Sequence, residues 1–167
     1  VVLTTMAMAQ HNHHGQPHQQ AATPYSGLQQ REIKALSEQQ IADLRQGRGM
    51  GLALAAELNG YPGPMHVLEL KDELHLTAEQ HQHFRHLFDS MKSEAIEAGE
   101  ALIASERALD RGFADGRMTP QTLAEMTARI GEAQGRLRAI HLKYHLSAAA
   151  LLSDHQRQRY AALRGYR

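Results

Sequence analysis

The chain of 167 residues has no cysteine and no tryptophan, and its aromatic residues are three Phe and five Tyr. The lack of cysteine excludes a disulfide framework, a thiolate metal site and a cysteine nucleophile, and it fits an oxidising compartment. Net charge is missing as well. Lys plus Arg and Asp plus Glu both total 18, which leaves no general field for holding nucleic acid or an anionic membrane surface. No apolar run approaches the roughly 18 residues needed to span a bilayer. Neither H-E-x-x-H nor G-x-S-x-G occurs. Gly47-Arg48-Gly49-Met50-Gly51 follows no strand pattern and lacks the Lys-Ser/Thr of a phosphate loop, so it reads as a helix break. Enzyme is therefore the least supported class.

What the chain does have is histidine, twelve in all, which charge below about pH 6.5 and make the protein cationic in acid. It also has a repeated word. Leu36-Ser37-Glu38-Gln39-Gln40, Leu76-Thr77-Ala78-Glu79-Gln80 and Leu152-Ser153-Asp154-His155-Gln156 share Leu, then a hydroxyl residue, then Gln three positions on. Each reads as a capping box, in which the hydroxyl accepts from the Gln N–H and the Gln side chain returns to the cap's own N–H.

At the N-terminus, Val1 to Met6 followed by Ala7-Met8-Ala9 and Gln10 reads as the end of a secretory signal with an A-x-A cleavage site, so the protein is expected to be exported and periplasmic. Residues 10–30, rich in Gln, His and Pro, read as a disordered tail in which His11, His13, His14 and His18 could chelate metal loosely. Residues 31–167 read as one all-helical domain. A helix is expected from near Ser37 to Arg45, helical pattern again over Leu52–Leu58, and a short helix from Pro64 to Leu74. Then come two long helices, 77 to about 111 and 120 to about 151, and a last one from Ser153 to near Leu163. In the first long helix, Phe88, Met91, Ala95, Ala98, Leu102, Ser105 and Leu109 step by three and four. Leu123, Met126, Ile130, Ala133, Leu137, Ile140, Tyr144, Ser147 and Leu151 do so in the second. With a tight turn at Asp115-Gly116-Arg117, the two form a long antiparallel hairpin. Its seam of small side chains calls for cover from the N-terminal helices or from a second copy, as in a dimeric four-helix cradle.

Three groups of side chains carry candidate chemistry. His141 and His145 lie one helical turn apart beside the seam, a spacing from which two imidazoles can grip one metal ion; taken alone the pair reads better as two ordinary surface histidines. His66 shares a face with Glu69 and Glu73, with Met65 as a soft neighbour; alone this is a surface His–Glu pair. His81, His83 and His86 crowd the start of the first long helix, with Asp89 a turn beyond His86.

The export signal, the hairpin and the L-[ST]-x-x-Q boxes resemble the Spy/CpxP-like LTxxQ superfamily of periplasmic proteins, which includes zinc-resistance-associated proteins and periplasmic sensors of nickel and cobalt resistance. The resemblance runs from Leu36 to the C-terminus, and the boxes at Leu76–Gln80 and Leu152–Gln156 are its most specific part. It implies a non-enzymatic, all-helical, often dimeric cradle, either an ATP-independent chaperone or a metal-responsive protein. For the metal-sensing branch it implies a ligand at His141, with His145 in the place of a family Met. His66 would come from the preceding helix, although Leu70 stands where the family has a second His, and Asp89 would supply a carboxylate. The expectation is thus a periplasmic, metal-responsive homodimer binding a divalent transition metal (Ni, Co, Zn or Cu) through His66, His141, His145, Asp89 and Glu69. Its partner would be a membrane-bound signalling protein or, in the chaperone alternative, unfolded clients.

Overall fold

A computed structural model of the chain describes residues 23–166. The expected signal remnant (1–9) and the tail histidines His11, His13, His14 and His18 lie outside the described residues. Among the described residues the secondary structure is wholly helical. After one 3-10 turn at Leu28–Gln30 come α1 (Glu38–Arg45), α2 (Leu54–Glu57), α3 (Pro64–Glu69), α4 (Ala78–Ala114), α5 (Pro120–Leu151) and α6 (Asp154–Arg164). None of these helices is long and apolar enough to cross a membrane.

All three boxes start helices. Ser37, Thr77 and Ser153 accept from the N–H of Gln40, Gln80 and Gln156 at 3.1, 3.1 and 3.2 Å, and each Gln side chain accepts from its cap's N–H in return. Thr119 caps α5 in the same manner, with Thr122 as the returning partner and Pro120 in the first turn, where its missing N–H costs nothing. The turn between α4 and α5 uses Gly116 at φ 64, a conformation that glycine adopts without strain.

Two of the boxes go beyond capping. The Gln80 and Gln156 amides bond to each other reciprocally, each Nε2 donating to the other's Oε1 at 3.0 Å. Gln80 Nε2 also donates to the Leu151 carbonyl at 2.8 Å, and Gln156 Nε2 to that of Leu74 at 3.3 Å. The start of α4, the end of α5 and the start of α6 are thereby clasped. A glutamate could cap in the same way but has no N–H to donate, which is the physical reason for an amide here. Gln40, in the first box, caps α1 and takes part in no such clasp.

Two apolar clusters follow from this frame. One runs along the hairpin, where Met91, Ala95, Ala98, Leu102 and Ile103 of α4 meet Ile130, Leu137, Ile140 and Tyr144 of α5 under Ile33, Leu36, Ile41 and Leu44. The N-terminal segment thus supplies cover for one face of the seam. α1 approaches α4 so closely at Gly99 that a Cβ there would lie 2.7 Å from the Leu44 carbonyl oxygen. The other cluster sits at the base, where Val67, Leu74, Phe84, Ala148, Leu152 and Tyr160 join α3, α4, α5 and α6.

Two expectations are corrected. The helix beginning at Pro64 ends at Glu69 rather than Leu74: the hydrogen bonding loosens into turns, and His75 at φ 50 swings the chain into the cap of α4. The seam of α5 does not continue through Ser147, which is exposed; after Tyr144 the buried position is Ala148. A straight helix of 3.6 residues per turn drifts off a strict 3-4 beat, so a step of four restores the contact.

Candidate functional site

α5 presents Ile140 and Tyr144 to the seam, and the next position round the helix carries His141 and His145. That flank is covered by the α1–α2 loop and by the α2–α3 segment. Both histidines are in consequence buried, at 2% and 7% exposure. They line a pocket of about 550 Å³ together with His66 and Met65 of α3, Glu57 of α2, Gly49 and Met50 of the preceding loop, and Met91 and Lys92 of α4. The fold brings His66, His141 and His145 to one pocket.

Glu57 organises one end. Its Oε1 accepts from the Tyr160 hydroxyl, and its Oε2 accepts from the Gly63 N–H at 3.0 Å. His66 Nδ1 lies 3.4 Å from Oε1, too poorly aligned to count as a hydrogen bond, and His145 Nδ1 lies 3.6 Å from Oε2. Burial alone would raise the Glu57 carboxyl, but the His66 imidazole, the Tyr160 hydroxyl and the Gly63 N–H together outweigh it and hold the group well below the usual carboxylate range. The Tyr160 hydroxyl is pushed up, by burial first and then by that carboxylate. Glu57 is thus a saturated hub tying α6 to the α2–α3 segment.

The histidines divide by how well they are satisfied. His145 Nδ1 lies 2.7 Å from the Tyr61 carbonyl oxygen. A carbonyl only accepts, so Nδ1 is the donor, the arrangement by which a backbone acceptor orients an imidazole. The ring packs against Gly63, where a Cβ would lie 3.0 Å from it. His141 Nε2 and His66 Nδ1 are buried without any hydrogen-bond partner. Burial, and secondarily the proximity of His145, lowers the His141 pKa, which keeps its imidazole neutral and able to ligate at pH 7. A buried nitrogen without a partner costs about 1–3 kcal/mol unless something completes it.

Two sequence-predicted ligands are not brought to this pocket. Glu69 lies 3.9 Å from Arg164 Nη1 on the outer side of α3, and Asp89 is exposed on α4. Among the described residues no group of three or more His, Asp or Glu side chains stands close enough to hold a metal ion as it is. Nitrogen donors are therefore present and the expected carboxylate shell is not. Sequence reasoning missed Glu57. The one available signal was its spacing of four from Ala53, which puts it on the buried face of α2.

Set against models of protein families, residues 63–164 match the one described as LTXXQ motif family protein. No curated protein and no solved structure matches the chain.

Proposed function

The chain belongs to the LTXXQ motif family, and from that premise we propose that it is a non-enzymatic helical protein of the periplasm that takes up a transition-metal ion in the His66/His141/His145 pocket as part of metal resistance or envelope-stress sensing. The observation that carries this reading is that three histidines of α3 and α5 line one pocket, His141 among them with a buried Nε2 that has no hydrogen-bond partner. When bound, the metal would supply the pairing that these nitrogens lack. The α2–α3 segment contributes His66 and is otherwise held by the Glu57 hub, so ligation couples the pocket to the placement of α6. A homodimer and a membrane-bound signalling partner belong to the same proposal.

The test is calorimetric titration of the full chain, with His11, His13, His14 and His18 replaced by asparagine, against Ni, Co, Zn and Cu salts at pH 7.5. Binding at micromolar level or tighter that is lost in His141→Ala/His145→Ala is expected. Binding weaker than millimolar, or indifferent to His141, overturns the reading.

A second reading has its own support. Met50, Leu54, Leu58, Tyr61 and Met65 are all more than 40% exposed and cluster in the segment that covers the pocket. Such a ring suits capture of apolar stretches of unfolding proteins by an ATP-independent chaperone. Suppression of client aggregation by the metal-free protein, weakened by Leu54→Ser/Leu58→Ser, is its test.

A further inference from the structure

The donors gathered in the pocket are of one chemical kind. Beside the three imidazoles stand three thioethers: Met50 from the α1–α2 loop, Met65 from α3 and Met91 from α4. The chain has seven methionines and no cysteine, so thioethers are its only sulfur ligands, and three of the seven line this one pocket. Meanwhile the pocket's carboxylate is already engaged: Glu57 accepts from Tyr160 and Gly63 and has two imidazoles close by. Lys92, on α4, adds a positive charge to the lining. Hard divalent ions want oxygen donors, borderline ones such as Zn(II) and Ni(II) also accept imidazole, and both gain from free carboxylates and negative charge at the site, while repulsion from a fixed cation scales with the ion's own charge. A soft monovalent d10 ion needs neither; it is satisfied by a few thioether and imidazole donors.

Resting on the reading of this pocket as a metal site, we infer that its preferred occupant is a soft monovalent ion, Cu(I) or its redox-stable counterpart Ag(I), held by His141 and the thioethers of Met50, Met65 and Met91. His145 and His66 then stand beside Glu57. His141, which lines the same pocket, supplies the nitrogen donor, and the partial exposure of Met50 and Met65 gives the ion a route in from solvent. The absence of a ready His/Asp/Glu cluster among the described residues accords with this, since a thioether site does not require one.

The full chain, again with its four tail histidines replaced by asparagine, is titrated anaerobically with Cu(I) in competition with bicinchoninate, and with Ag(I), Zn(II) and Ni(II) by calorimetry. Cu(I) and Ag(I) are expected to bind at least 100-fold more tightly than Zn(II) or Ni(II). Met50→Leu/Met65→Leu, which removes two sulfurs at half-exposed positions with little change of volume, is expected to lower Cu(I) affinity at least tenfold and leave Zn(II) unchanged. Adding Met91→Leu should lower it further, with the thermal midpoint measured in parallel to confirm folding. Sulfur scatterers in the X-ray absorption spectrum of the Cu(I)-loaded chain are the independent readout. If Zn(II) or Ni(II) binds as tightly as Cu(I), or the Met→Leu variants bind Cu(I) like the parent, the soft-ion assignment is overturned while the pocket remains a metal site. If no metal binds, both the assignment and the proposed function fall.

Discussion

At the base of the hairpin, Gln80 and Gln156 face each other with both amides engaged by partners; a short distance along α5, His141 keeps a buried nitrogen that has no hydrogen-bond partner. Both regions are polar islands in an otherwise apolar packing, and both draw on α5 and the short helices that cover it. They differ in completeness. A closed network of hydrogen bonds rigidifies and specifies one arrangement of elements, and it leaves nothing for a ligand to do. An open one costs stability in the free protein and is retained where something else completes it. The Glu57 hub stands at the border. Its carboxylate is satisfied, yet two of its neighbours are histidines of the open site.

The contrast can be broken first at that border. Glu57→Ala removes a buried charge and strands the Tyr160 hydroxyl and the Gly63 N–H, so a loss of about 3–5 kcal/mol is expected in urea unfolding followed by circular dichroism. A loss below 1 kcal/mol would mean that the hub does not hold α6.

Within the two islands, replacement by leucine should act in opposite directions. Gln156→Leu breaks the reciprocal amide pair with Gln80, strands the Leu74 carbonyl and the Ser153 N–H, and should destabilise by about 2 kcal/mol. His141→Leu removes an orphaned nitrogen and should stabilise the metal-free protein by about 1 kcal/mol while abolishing metal uptake. Equal signs would erase the distinction.

Acid should act on the open site before the hub. His141 has its folded pKa lowered, by burial first and by His145 second, so the unfolded chain takes up its proton at higher pH than the folded one does. Stability is therefore full above the unfolded value of about 6.5 and falls as pH drops below it. Glu57 is also lowered, so what it contributes persists to far lower pH and is lost only below the ordinary carboxylate range. In His141→Leu the decline beginning near pH 6.5 should become shallower while the acid limb remains, as read from urea midpoints at a series of pH values.

The smallest effect sharpens the comparison between the boxes themselves. Gln40 caps α1 and takes no part in a clasp, so Gln40→Ala should cost about 0.5 kcal/mol, well below the same change at Gln156.

Capping chemistry is local, and this is why the boxes, the hairpin turn and the two long helices were legible in the sequence to within a few residues. The burial of His141 and His145 was legible only as adjacency to a seam, because it depends on where the α2–α3 segment comes to rest. Glu69 and Asp89 failed as pocket ligands for a related reason. A helical spacing places residues on a common face without saying which face is covered, and Glu69 lies on an exposed face near Arg164. Glu57 and Tyr160 are 103 residues apart, so no local pattern announced their pairing. That only the second and third boxes interlock is likewise a matter of tertiary position, since the first carries the same letters.

The most direct measurement is a long-range ¹H–¹⁵N spectrum of the histidine rings in the full chain, with the four tail histidines replaced by asparagine, recorded before and after one equivalent of Ag(I). The expected result is a large shift of His141 Nε2 at saturation, with the Gln80 and Gln156 side-chain amides unmoved. An unshifted His141, or shifts confined to His81, His83 and His86 at the start of α4, would contradict the assignment of this pocket as the metal site.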